Sequence, residues 1–183
     1  LTCEDFILAM EDASGVSLDQ FRRWYFQAGT PQLEITDEYD ETAQTYSLHV
    51  EQSCPETPGQ KRKEPFVIPL AMGLLGEAGN LPLHLAGTDA DPDTPDNTHR
   101  VLTIDASVQS FVFQHVTERP VPSLLRGFSA PVRMHYNYSR EDLCALMRRD
   151  GDGFVRWDSA QSLATRIIFE VEAQLLAGTP LDV

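Results

Sequence analysis

Five histidines are the side chains in this sequence best suited to holding a metal or moving a proton: His49, His84, His99, His115 and His135. No two of them stand at i, i+4 on a helical pattern, and no H-E-x-x-H occurs. The two-imidazole helix face that grips zinc in metallopeptidases is therefore missing, and the histidines read as strand and loop residues with ordinary hydrogen bonds. Asp89, Asp91 and Asp93 have the D-x-D-x-D spacing that opens a calcium loop. The sixth position of such a loop needs glycine for its sharp turn and is Thr94; the twelfth needs a bidentate glutamate and is Arg100. The stretch reads as a solvated acidic loop stiffened by Pro92 and Pro95. Asp150 and Asp152, each followed by glycine, read as a turn. Cys3, Cys54 and Cys144 are odd in number and lack C-x-x-C spacing, which argues against a disulfide framework and for a reducing, cytoplasmic setting. There is no G-x-S-x-G elbow and no phosphate-cradling glycine loop. Arg22 and Arg23 beside Trp24 read as a face between domains, where arginine pairs with carboxylates. No catalytic, cofactor-binding or metal residue is assigned anywhere in the chain.

The bulk composition narrows the partners. The 183 residues carry a formal charge of -14, from 14 basic and 28 acidic side chains. Such a surface repels phosphate backbones and anionic lipid, so neither nucleic acid nor a membrane is expected as a partner. Apolar residues make up 42% and charged residues 23%, ordinary proportions for a globular protein. No apolar run is long enough for a transmembrane helix.

The elements that position these side chains follow from the periodicity. Thr2 and Asp5 form a capping-box pattern ahead of Phe6, Ile7 and Met10, and Gly15 closes that helix. Ser17 and Gln20 repeat the start signal, and Leu18, Phe21, Trp24 and Tyr25 predict a second helix stopped by Gly29 and Pro31. The period then changes to two. Alternating runs occur at Leu33 and Ile35; at Tyr46, Leu48 and Val50; and at Phe66, Ile68, Leu70 and Met72. Further runs are Leu81, Leu83 and Leu85; Leu102 and Ile104; Phe111 and Phe113; and Val132, Met134 and Tyr136. About seven short strands with turn signals between them predict an antiparallel β-sandwich. The proline-rich stretch from Pro120 to Pro131 reads as a connection. Helical spacing returns with a Ser139–Asp142 capping box ahead of Leu143, Leu146 and Met147. A longer helix follows from about Phe154 to Leu176, with Leu163, Ile167, Ile168, Val171 and Leu175 among its apolar positions. The helices at each end present apolar faces that need a partner.

Several blocks carry a family resemblance. Thr2-Cys3-Glu4-Asp5-Phe6, Ala9-Met10-Glu11-Asp12-Ala13-Ser14, Phe21-Arg22-Arg23-Trp24-Tyr25 and Gly29-Thr30-Pro31 resemble a join in the bacterial aminopeptidase N family. There the thermolysin-like catalytic domain meets the immunoglobulin-like domain. Phe111-Val112-Phe113, Pro120-Val121-Pro122-Ser123-Leu124-Leu125 and Phe128-Ser129-Ala130-Pro131-Val132 resemble the end of that sandwich. Phe154-Val155-Arg156-Trp157-Asp158 and Ala160-Gln161-Ser162-Leu163 resemble the start of its helical C-terminal domain.

The resemblance implies three parts. Residues 1–29 would be the last helices of the catalytic domain, 30–138 an immunoglobulin-like β-sandwich, and 139–183 the start of the helical domain. Leu1, with no initiator Met near it, fits a chain that begins inside something larger. The family is one of zinc-dependent exopeptidases that remove N-terminal residues from peptides. Its H-E-x-x-H zinc ligands and G-x-M-E-N amine-binding segment do not occur here, so no zinc is expected on this chain. Its partners would be neighbouring domains of the same polypeptide, and peptide substrates would belong to the parent enzyme only. The alternative is a free-standing immunoglobulin-like module that holds a protein or peptide with the loops at one end.

Overall fold

A computed structural model describes residues 2–87 and 97–179. Asp89, Asp91 and Asp93, the candidate calcium loop, lie outside the described residues.

The alternation at the front of the sandwich folds as it reads. Strand β1 (Gln32–Asp40) buries Leu33 and Ile35, and β2 (Thr45–Ser53) buries Tyr46, Leu48, Val50 and Gln52. The two pair antiparallel over their whole length, from Gln32 opposite Ser53 to Asp40 opposite Thr45. Strand β3 (Ile68–Leu75) belongs to a second sheet. Two-residue strands β4 (Asn80–Leu81) and β5 (His84–Leu85) follow, then β6 (Arg100–Ile104), β7 (Val108–Gln114), β8 (Val121–Leu124) and β9 (Arg133–Tyr136). One sheet runs β5-β7-β2-β1-β9; in the other, β3 pairs antiparallel with β4, β6 and β8. Leu33, Ile35, Tyr46, Leu48, Val50 and Phe113 of the first sheet share a single core with Ile68, Leu70, Met72, Leu74, Leu102, Ile104 and Leu124 of the second. Two sheets closed over one apolar layer make the molecule mainly β, with helices at both ends.

Strand β3 shows why one element reads as a continuous apolar run. Its even-numbered residues fill the core between the sheets, while Ala71, Gly73 and Leu75 point the other way. That second face is covered as well. Ala71 N–H donates to Ser129 Oγ at 3.0 Å, Arg126 lies over Gly73, and Leu75 packs with Leu146 and Val155 of the C-terminal helices. A strand covered on both faces loses its polar alternation.

Four expectations about the strands are corrected. Nine strands occur among the described residues rather than about seven. The run Leu81-Leu83-Leu85 is not one strand: Asn80–Leu81 pairs with β3, and His84–Leu85 pairs with β7 in the other sheet. Pro82 interrupts the ladder, and Asn97 clamps the crossing, because its Nδ2 donates to Leu83 O at 2.7 Å and its carbonyl accepts Leu83 N–H at 2.6 Å. The proline-rich stretch contains β8, with Pro122 opposite Leu74. Antiparallel pairs alternate between bonded and non-bonded positions, so a proline is tolerated where its missing N–H faces away from the partner. Finally, β9 pairs with β1 in parallel, Gln32 beside Arg133 through Ile35 beside Tyr136. The chain arrives there from β8 in the other sheet, through a 3-10 turn at Arg126–Phe128, and enters at the end where β1 begins.

Helix α1 (Cys3–Ser14) carries the predicted cap. Thr2 Oγ1 accepts the Asp5 N–H at 3.2 Å, Asp5 Oδ2 accepts the Thr2 N–H at 2.7 Å, and Gly15 takes the left-handed conformation with φ +69°. The second helix is a single turn, α2 (Arg23–Phe26). The Gln20 amide donates to Pro65 O and Asp105 O, and Trp24 Nε1 donates to Val67 O at 2.8 Å. Anchoring to the loop beneath has replaced regular helix at this end. Helix α3 (Arg140–Arg149) starts at a Ser139–Asp142 capping box and buries Leu143 and Leu146. Helix α4 (Gly153–Ala177) is capped by Asp152, whose carboxylate accepts the Val155 N–H at 2.9 Å.

Candidate functional site

The histidines do not converge. His49 Nδ1 meets Ser110 Oγ at 2.8 Å across β2 and β7. His84 and His115 stand edge to face, their ring centres 5.6 Å apart. His99 and His135 are exposed. Among the described residues no group of three or more His, Cys, Asp or Glu is placed to hold a metal ion. Cys3, Cys54 and Cys144 are free thiols. Burial pushes the Cys54 thiol up, against the pull of nearby Lys63, which is the wrong direction for a thiolate nucleophile.

The polar organisation lies at the two ends of the sandwich. At the front, Arg22 gathers three carboxylates. Its Nη2 lies 2.8 Å from Glu4 and 2.9 Å from Glu11, and its Nη1 lies 3.0 Å from Asp19. Glu11 also accepts the Leu18 N–H at 2.6 Å. The bond from Arg22 and that backbone bond hold the Glu11 carboxyl down at about 2. The carboxylates expected from a neighbouring domain are thus supplied by this chain itself. Arg23 donates to Pro65 O, and Trp24 packs on Phe66 with ring centres 4.6 Å apart. Trp24 belongs to the sandwich core's margin.

At the back, Arg126 is the hub, and nothing local in the sequence signals it. Its Nε donates to Ser123 Oγ at 2.7 Å, its Nη1 to Thr98 O at 3.1 Å and its Nη2 to Asn80 Oδ1 at 2.9 Å. Nη2 also lies 3.5 Å from Asp150 Oδ1. A Cβ on Gly73 would fall 2.2 Å from the guanidinium carbon, so only glycine leaves room for it. Asp150 and Asp152 therefore form more than a turn: Asp152 also accepts the Gly127 N–H at 3.0 Å.

Between the ends runs a tyrosine and carboxylate line. Tyr136 donates to Asp37 Oδ1 at 2.7 Å, and Tyr138 donates to Pro122 O at 2.7 Å. Burial pushes the phenols of Tyr46, Tyr136 and Tyr138 up, so all three stay protonated, and Tyr136 and Tyr138 act as donors.

Both ends also carry apolar side chains turned to solvent. On α1 these are Phe6, Leu8 and Met10; on the second half of α4 they are Ile168, Phe169, Leu175 and Leu176, the last 83% exposed. Trp157, near the start of α4, is 58% exposed. An open groove of about 660 Å³ lies along α4 beside Arg166, Phe169 and Glu170. No helix among the described residues is long and apolar enough to cross a membrane.

Comparison with known proteins agrees with this geometry. A family described as a domain of unknown function (DUF3458) with an Ig-like fold matches residues 29–137. A second, described as DUF3458_C with ARM repeats, matches residues 140–180. Aminopeptidase N of Escherichia coli (strain K12) is 43% identical over 182 residues, covering 99% of this chain and 20% of that protein. Aminopeptidase N of Haemophilus influenzae is 39% identical, covering all of this chain and 20% of its own length. The Caulobacter vibrioides aminopeptidase N is 37% identical, with 19% of its length covered. The chain thus spans about a fifth of the length of the curated relatives it matches. The crystal structure of Legionella pneumophila aminopeptidase A in complex with aspartic acid superposes with a TM-score of 0.77 at 30% identity, over 100% of this chain and 18% of that one.

Proposed function

The chain belongs to the Ig-like DUF3458 family, and on that premise we propose that it is a non-catalytic structural segment of a zinc-dependent aminopeptidase. In this reading the longer enzyme removes N-terminal amino acids from peptides. Residues 1–29 close its catalytic domain, 30–138 form the immunoglobulin-like spacer and 139–183 begin its helical domain. The spacer holds the helical domain against the catalytic one. A double sheet over one close-packed core suits that task because it resists bending.

One observation carries the reading. Relatives named aminopeptidase N match this chain from end to end while it accounts for about a fifth of their length. The solvent-facing apolar residues of α1 and α4 add support, since neighbouring domains of one polypeptide would cover them. Zinc belongs, in this reading, to the catalytic domain. The residues described here do not fit it, because His84 and His115 make only a pair. No step of peptide hydrolysis is therefore derived through this chain. A cytoplasmic location goes with the reading and is supported by the three free thiols.

The test is an assay of the 183-residue chain with an aminoacyl chromogenic substrate, with and without zinc, beside the longer enzyme. Turnover by the longer enzyme alone supports the proposal. Zinc-dependent turnover by the chain alone overturns it. The free-standing binding module predicts a gene with no H-E-x-x-H upstream in the same reading frame.

A further inference from the structure

Helices α3 and α4 are joined to the sandwich covalently only through the two residues between β9 and Ser139. Their apolar contact with it is limited: Leu75, Leu146 and Val155 are buried together with Val121, Tyr138 and Ala145 around them, and Phe154 of α4 packs at the margin of the sandwich core and on Phe128, ring centres 5.3 Å apart. Apolar contact of this extent does not by itself fix an angle between two bodies, because it is non-directional. The directional contacts at this junction are polar. Arg126 Nη2 forms an ion pair with Asp150 Oδ1 at 3.5 Å, Gly127 N–H donates to Asp152, and Arg149 Nη1 donates to Glu77 O at 2.6 Å.

Arg126 and Asp150 differ from the other two contacts in burial, with side chains 6% and 0% exposed. Arg126 is itself held from β8 by Ser123, from β4 by Asn80 and from the start of the β6 segment by Thr98 O. Gly73 of β3 supplies the floor on which the guanidinium lies. Four parts of the second sheet therefore aim one cation at the residue that ends α3 and leads into α4. Asp150 also bonds the backbone of Asp152 at 2.8 Å, so its position sets the start of α4.

We infer that the buried Arg126–Asp150 pair is a latch that fixes the angle at which the helical pair leaves the immunoglobulin-like unit, making the junction a rigid joint instead of a hinge. For its purpose the inference rests on the spacer reading, since a spacer that flexed at this point could not hold a following domain in register. The physical statement concerns only contacts within this chain. Removing one partner of a buried pair leaves a desolvated charge, which the structure relieves by opening whatever can move.

The test is amide hydrogen exchange on the 183-residue chain in D150N and R126M. D150N leaves Arg126 bonded to Ser123, Thr98 and Asn80, so it isolates the latch even if R126M fails to fold. In D150N, exchange in α3 and the first turns of α4 rises on the order of 100-fold while β2 and β7 keep their protection. A rise shared equally by β2 and β7, or unchanged helical protection in D150N, overturns the inference. Because no catalysis is measured, failure here leaves the spacer reading standing, and failure of the activity assay leaves the latch standing.

Discussion

Gly73 and Arg126 are in contact across the outer face of the second sheet, so close that a single methyl on Gly73 would lie 2.2 Å from the guanidinium carbon. Arg126 cannot simply swing aside, because Ser123, Thr98 and Asn80 hold its donors and Asp150 lies 3.5 Å from Nη2. We therefore expect Gly73→Ala to destabilise the chain by about 1–3 kcal/mol, the usual cost of overpacking. Urea unfolding followed by tryptophan fluorescence measures it. A midpoint equal to that of the parent chain would mean that the arginine has more freedom than its bonds suggest.

Tyr136 is the hydrogen-bond donor to Asp37, whose buried Oδ2 has no hydrogen-bond partner and only the Arg119 guanidinium 3.9 Å away. Replacing it with phenylalanine keeps the ring and leaves Asp37 poorer by one bond. We expect Tyr136→Phe to cost about 1–3 kcal/mol, the penalty for leaving a buried acceptor unpaired. The same denaturation experiment reads this value, and a neutral result would place water beside Asp37.

Glu11 gives a pH dependence with a definite sign. Its carboxyl titrates at about 2 in the folded chain against an ordinary 4.5. A lowered folded-state value favours folding above the unfolded value, and the contribution disappears as pH falls from near 4.5 through about 2. Thermal midpoints of the parent chain and Glu11→Gln should differ at pH 6 and converge as pH falls toward 2. A gap that stays constant across that window would show that Arg22 does not perturb this group.

Leu48 is fully buried in the core shared by both sheets. Leu48→Ala should lower stability by about 2–5 kcal/mol. On the proposed reading as a segment of a longer zinc enzyme, that loss should lower the thermal midpoint and the activity retained after heating, with zinc content per folded molecule unchanged. A loss of zinc at full folding would put this segment in contact with the metal centre and count against a purely structural role.

The sequence alone settled what depends on neighbours a few residues apart. Two capping boxes, Thr2 with Asp5 and Ser139 with Asp142, are bonds between i and i+3 and form as read, whereas the Ser17–Gln20 signal does not, because the Gln20 amide bonds Pro65 O and Asp105 O instead. The alternation of Leu33 and Ile35, or of Tyr46, Leu48 and Val50, marks a strand with one buried face wherever that strand ends up. Blocks such as Phe154-Val155-Arg156-Trp157-Asp158 carried the family resemblance as well. Tertiary structure decided whatever needed two distant stretches to meet. It divided Leu81 and Leu85 between two sheets, laid β9 parallel to β1, and shortened the second helix by anchoring Gln20 and Trp24 to the loop below. It also turned Arg126, unremarked in the chain, into the hub between sandwich and helices. Periodicity reports only which face of an element is buried, whereas the partner of a buried charge is fixed by packing, and packing has no local signature.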